Sequence, residues 1–273
     1  MGIWYKRHLD GSSLSAVRDH MTEAKEKPKF GRYWEIDALR GVAILLMVGF
    51  HLTWDMVSLS LVQVNMGRGP WPWFSRIIST MFLSLAGISL VISDSRRGDT
   101  PAWRKYLLRG LKILGLGMVV TVVTYFALGR GFVVFGILHL IGFSIIAAIP
   151  FLPYRRRWLN LILGLALLVV GSYVNRQTVL HPWLIWLGIN QLGRPMADWY
   201  PVLPWFGMML IGLWLGHTLY TGGERRFALS DLSRAPAIRQ LAFLGRHSLL
   251  IYMVHQPILM GIVYAIAWWL ARR

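Results

Sequence analysis

The segment EIDALRGVAILLMVGFHLTWD, residues 35–55, decides how this chain is read. Its centre, GVAILLMVGF, carries no charge, and Asp37, Arg40, His51 and Asp55 bracket it at successive offsets of 3, 11 and 4. A helix turns about 100° per residue, so eleven steps return to within roughly 20° of the start and place Arg40 and His51 on one face. Asp37 and Asp55 fall close to that face. The pattern predicts an apolar helix with one polar stripe, Arg40 near a rim and His51 about 16 Å further along the axis, near mid-membrane. An ionisable group in hydrocarbon costs several kcal/mol unless it is paired or lines a cavity, so the stripe needs partners or a function.

Composition extends the membrane reading to the whole chain. Of 273 residues, 55% are hydrophobic and only 15% charged, against about a quarter charged in soluble domains. The mean hydropathy is +0.49, and 14 Trp with 10 Tyr suit a protein whose aromatic rings collect at two bilayer interfaces. A formal charge of +17 would mark a nucleic-acid binder in a soluble chain. Here Lys and Arg fall in alternate loops, so membrane lipid is the expected partner and nucleic acid is not. The absence of Cys removes disulfides, thiolate metal sites and a cysteine nucleophile together.

The expected fold is all-α: a polytopic membrane bundle of about 7–8 transmembrane helices with its N-terminus in the cytoplasm and its place in the cell (inner) membrane. Residues 1–32 read as a polar, basic, cytoplasmic segment expected to be mobile, and 33–273 as one transmembrane domain. Apolar runs fall at about 41–62, 73–93, 106–128, 132–152, 157–174, 200–220 and 246–270. The connections holding Arg96, Arg97, Arg104 and Lys105, then Arg155 to Arg157, then Arg225, Arg226, Arg234 and Arg239 face the cytoplasm by the charge rule. Their counterparts, with Arg68, Arg130, Arg176 and Arg194, face outward. Seven spans put Arg272 and Arg273 outside, against that rule, so PWLIWLGI at 182–189 stands as an eighth, spanning or re-entrant element.

His51 with Asp55 one turn on is the sharpest pair, because a carboxylate four residues from an imidazole can hold its tautomer and stabilise its charged form, as a general base requires. His139, in FGILHLIGFS, and His255, in LLIYMVHQPILMG just before Pro257, are each more simply packing residues. With His51 they place three imidazoles in the middle thirds of three spans, which suggests a shared polar pocket. No metal is expected, since no pair has local ligand spacing and Asp55 is better used as a partner. Arg40, Arg109, Lys112 and Arg246 lie near span ends. They fit either topology and anionic lipid heads or a cup for a phosphorylated cofactor. His181 and His217 read as interfacial. The segment 175–199, with Trp183, Trp186, Asn190, Gln191, Asp198 and Trp199, fits an aromatic belt or a sugar-binding loop.

The opening RYWEIDALRGVAILLMVGFH, the middle segments SLAGISL, FGILHLIGFS and DWYPVLPWFGMMLIGLWLG, and the closing LGRHSLLIYMVHQP resemble the bacterial membrane family related to the catalytic domain of heparan-alpha-glucosaminide N-acetyltransferase. The similarity covers about residues 33–262. Arg40, ten residues, then His51 is also similar to the motif of the wider acyltransferase-3 superfamily. The resemblance implies a transmembrane acyltransferase that takes an acyl group from acetyl-CoA or another acyl-CoA inside the cell and passes it to a hydroxyl or amine of a glycan or small-molecule acceptor outside. It assigns Arg40 to the cofactor side and His51 to catalysis. Asp37, Arg40, Arg109 and Arg246 are then the candidate cofactor-binding residues, His51 and Asp55 the candidate catalytic ones, and His139 and His255 candidates for the pocket. In the lysosomal branch the position of His51 is not histidine and the catalytic histidine lies in the next luminal loop. Residues 63–72 here contain none. A homo-oligomer stays open. The rival is a secondary transporter using intramembrane His and Asp for proton coupling. That reading predicts internal repeats with paired broken helices, and the sequence has one Pro-kinked span, at Pro257, with no matching partner.

Overall fold

The computed structural model describes residues 32–96, 103–179, 182–191 and 198–272. The segment before residue 32, with His8 and His20, lies outside the described residues, as do Arg97, His181 and Arg194. In chain order the helices are α1 (Trp34–Ser58), α2 (Trp71–Ser95), α3 (Trp103–Leu128), α4 (Ile137–Ala147), α5 (Arg157–Val174), α6 (Val202–Leu219), α7 (Pro236–Arg246) and α8 (Ser248–Leu270). A two-residue parallel pairing of β1 (Thr178–Val179) with β2 (Asn190–Gln191) is the strand content of the described residues. The protein is an all-α polytopic bundle in which α1, α2, α3, α5, α6 and α8 are long and apolar enough to cross a membrane.

Two expected spans form differently. The run at 132–152 yields α4, 11 residues long and so about 16 Å, roughly half the hydrocarbon thickness. Extended backbone at Phe132 and Gly136 precedes α4, and short 3₁₀ turns at Ile149–Phe151 and Tyr154–Arg156 follow. Glycines at one end of this apolar run and Pro150 and Pro153 at the other limit its regular helix. The piece at 182–189 is not a span: Pro182–Leu184 is a 3₁₀ turn, and the N–H groups of Leu187, Gly188 and Ile189 all donate to the Leu184 carbonyl. Eight residues are too few to cross. At the chain end, the Arg272 guanidinium sits 3.6 Å from the centroid of the Trp268 ring.

α6 is the central helix, packed between α2 and α5, with Met209, Leu210 and Leu213 fully buried. Its backbone approaches those neighbours closely: a Cβ at Gly212 would lie 2.5 Å from the Ser84 carbonyl oxygen, and one at Gly207 2.5 Å from that of Gly164. α3 buries one stripe, Tyr106, Gly110, Ile113 and Gly117, at helical spacing against α4. α7 was not legible as a separate helix. It is short and amphipathic, and Gly245 on it touches the backbone of α1 at Asp37 and Gly41. α8 follows after a break at His247 and packs mainly on α1.

Candidate active site

The α1–α8 seam positions the histidine pair. Met47 on α1 and Ile251 and Tyr252 on α8 share one apolar cluster, and one turn on the rings of His51 and His255 stand 4.9 Å apart between centroids, tilted by 66°. The two rings are held alike. His51 Nδ1 lies 3.0 Å from the Met47 carbonyl oxygen, and His255 Nδ1 lies 2.7 Å from that of Tyr252. A carbonyl can only accept, so each neutral ring carries its proton on Nδ1 and leaves a lone pair on Nε2. α8 stays helical through Pro257.

Asp55 does not hold His51, contrary to the sequence expectation. Its Oδ1 accepts a 2.7 Å hydrogen bond from Gln256 Nε2 on α8. Helical side chains lean toward the helix N-terminus, so the His51 ring reaches back to the Met47 carbonyl, which fixes its tautomer in place of the carboxylate. Asp55 Oδ2, His255 Nε2 and Gln256 Oε1 are buried without a hydrogen-bond partner. All three are acceptors, at a seam where Asp55 is 2% and His255 8% exposed. Gln256 escaped the sequence reading, although an amide beside a histidine inside an apolar span was the available signal. Just past Asp55, the turn after α1 borders an open depression of about 600 Å³ lined by Val57, Ser60, Gln63, Asn65 and Met66.

His139 is tied elsewhere. Its Nδ1 accepts the Gly136 N–H at 3.2 Å and its Nε2 lies 3.2 Å from Thr121 Oγ1. Both nitrogens are thereby used to cap α4 and join it to α3, so the packing reading fits His139 better than the pocket reading. Beside it, Asp198 Oδ2 accepts the Ile137 N–H at 3.0 Å, a carboxylate on a helix N-terminus. Burial pushes the Asp198 carboxyl up to about 6, opposed by that hydrogen bond. Tyr200 OH pairs with Ser75 Oγ at 2.9 Å, and burial together with the nearby Asp198 charge raises its phenol above the usual value.

At the other end of α1, Arg40 donates to Asp37 Oδ1 at 3.0 Å and to Ser89 Oγ on α2. One turn earlier, Glu35 receives a fork of two 2.9 Å hydrogen bonds from Arg225 and a 3.1 Å bond from Tyr220 OH. This partly buried ion pair was not anticipated. Arg109 on α3 and Arg246 on α7 are exposed.

The sequence model of the heparan-alpha-glucosaminide N-acetyltransferase catalytic domain matches residues 32–257. The chain belongs to that family. No curated protein and no solved structure matches it. The matched stretch runs from the start of α1 to Pro257 on α8, so it includes both partners of the histidine pair and the Asp55–Gln256 bond. The heparan-alpha-glucosaminide N-acetyltransferase family is one of transmembrane acetyltransferases, so the protein is a multi-pass membrane enzyme of that class. In such an enzyme the two Nε2 lone pairs can accept protons, while the Arg40–Asp37–Ser89 cluster holds α1 to α2.

Proposed function

We propose that the protein moves an acetyl group from acetyl-CoA to a hydroxyl or amine of an acceptor on the opposite side of the membrane, a glycan being the expected class. The observation that carries this reading is the His51–His255 pair, held by backbone carbonyls with Nε2 lone pairs left over, in a chain of this acetyltransferase family. The end of the bundle bearing Arg40, Arg109, Lys112, Arg225 and Arg246 is taken as cytoplasmic by the positive-inside rule. Arg40 is already engaged by Asp37 and Ser89. The exposed Arg109, Lys112 and Arg246 therefore fit phosphate groups of the donor better than Arg40 does, and Arg40 becomes a residue that shapes the rim.

Bound acetyl-CoA would supply the acyl carbon and a thiolate leaving group. His51 Nε2 takes the proton from the acceptor hydroxyl or amine as that group attacks, and the Met47 carbonyl, through Nδ1–H, steadies the imidazolium that forms. Asp55 lies one turn beyond, tied to α8 through Gln256. His51→Ala, purified into lipid nanodiscs and given radiolabelled acetyl-CoA with an acceptor mixture, is expected to lose transfer by about 10² or more while still binding the donor. Near-normal transfer by a folded His51→Ala protein would refute the assignment of the base.

A further inference from the structure

Each imidazole of the α1–α8 pair is arranged as a metal-ligating histidine usually is: Nδ1–H is donated to a backbone carbonyl, which fixes the ring and leaves Nε2 as the ligating atom. The spacing also fits. With a metal–nitrogen distance of about 2.0–2.1 Å, a tetrahedral angle at the metal, and the ring centre about 1.1 Å behind Nε2, two ligating imidazoles have centroids about 5 Å apart. The rings of His51 and His255 are 4.9 Å apart. The two sequence-level objections to metal no longer hold together, because Asp55 is not spent on His51 and the pair comes from two helices rather than from local spacing.

Two further features point to a ligand. His255 Nε2 is buried with no partner, and so are Asp55 Oδ2 and Gln256 Oε1 beside it. Every orphan atom in the seam is an acceptor, and the Gln256 Nε2 donor beside them is given to Asp55 Oδ1. A divalent ion satisfies such a set in two shells: imidazole nitrogens bind the ion, and its bound waters donate to carboxylate and amide oxygens. No third His, Cys, Asp or Glu joins the pair closely enough to complete a structural metal centre among the described residues, so the remaining positions fall to water. That describes an exchangeable ion rather than a resident cofactor.

We propose that His51 and His255 form a reversible binding site for a borderline transition ion, Zn²⁺ or Cu²⁺, at the α1–α8 seam. Imidazole ligands favour these ions in the order Co²⁺, Ni²⁺, Cu²⁺, with Zn²⁺ below Cu²⁺. Mg²⁺ and Ca²⁺ prefer oxygen ligands and are rejected. An ion on both Nε2 atoms occupies the lone pair assigned above to the base. If that assignment holds, the ion therefore inhibits acetyl transfer competitively with protonation, more weakly as pH falls.

The test is calorimetric titration of ZnCl₂ into the purified full chain in nanodiscs, beside His51→Ala, His255→Ala, the polar variant His255→Gln, and His247→Ala as a control on an exposed histidine. Wild type and His247→Ala should bind with equal affinity. Each seam variant should lose affinity by at least about tenfold, and MgCl₂ should give no heat of binding. Zinc binding that is unchanged in both His51→Ala and His255→Ala, or absent from wild type, overturns the site. Acetyl transfer is measured separately on the same samples. Binding that depends on both histidines in a protein without transferase activity keeps the metal site and removes the proposed function, whereas transfer with no histidine-dependent binding does the reverse.

Discussion

A methyl group added to Gly245 tests the contact that holds α7 on α1. The Cβ would lie 1.7 Å from the Asp37 carbonyl oxygen and 2.9 Å from the Gly41 nitrogen. Carbon and oxygen meet without overlap at about 3.3 Å, so the helices must separate by roughly 1.5 Å. Both contacted atoms are backbone, and no side-chain rotation relieves the clash. Alanine in a helix is intrinsically better than glycine by about 0.5–1 kcal/mol, while overpacking costs about 1–3 kcal/mol or more. With backbone against backbone the steric cost takes the upper end, leaving a net loss of about 2 kcal/mol. Gly49→Ala and Gly261→Ala make the same chemical change where nothing lies within 4 Å, and should be neutral or slightly stabilising. Tryptophan-fluorescence melting of the three variants in one detergent is the assay. Gly245→Ala should unfold several degrees below both controls, and equal melting temperatures would refute the close α1–α7 contact.

Removing Arg225 while keeping Glu35 leaves the carboxylate with Tyr220 OH as its one remaining donor among the described residues, so Arg225→Ala should cost about 1–3 kcal/mol. Adding Glu35→Gln should restore much of that loss in the same melt. Asp198 ionises near pH 6 in the fold, against an ordinary value of 3.8. A raised carboxyl favours the protonated fold, so its stabilising effect is full in acid and is lost as pH rises from about 4 through 6. Asp198→Asn keeps an acceptor for the Ile137 N–H without the charge and should melt above wild type at pH 8, with the gap closing toward pH 4. His139→Ala removes the cap on α4 and should lower stability by about 1–2 kcal/mol while acetyl-CoA turnover stays within a few-fold of wild type. Loss of turnover with unchanged stability would return His139 to the active site.

The sequence revealed most of what depends on one helix at a time. Residues 35–55 showed α1 and its polar stripe because 3.6-residue periodicity is a property of the segment alone. The same method overstated α4, since hydropathy registers the run FGILHLIGFS but not the Asp198 carboxylate that caps its first turn from 61 residues away. It also left α7 inside a connection, because the run it registers begins at about residue 246, while the amphipathic PAIRQLAFLGR is too short to read as a span. The partner of His51 was wrong for a related reason. An offset of four makes two side chains neighbours on a helix, but the direction in which each leans, and the competing donor on α8, decide which bond forms.

The stripe on α1 therefore divides in two, and the division separates structure from chemistry. At the Arg40 end, Glu35, Asp37 and Arg40 all find side-chain partners, on α2, on the loop after α6 and within α1 itself. These bonds offset much of the cost of burying their charge, and in doing so tie the start of α1 to its neighbours. At the His51 end, Asp55, His255 and Gln256 leave buried lone pairs unmatched. An unmatched acceptor in a membrane interior is costly. A proton, an ion or an acceptor group from outside the chain would offset that cost, and it is at this poorly satisfied end of the stripe that the proposed function sets its base.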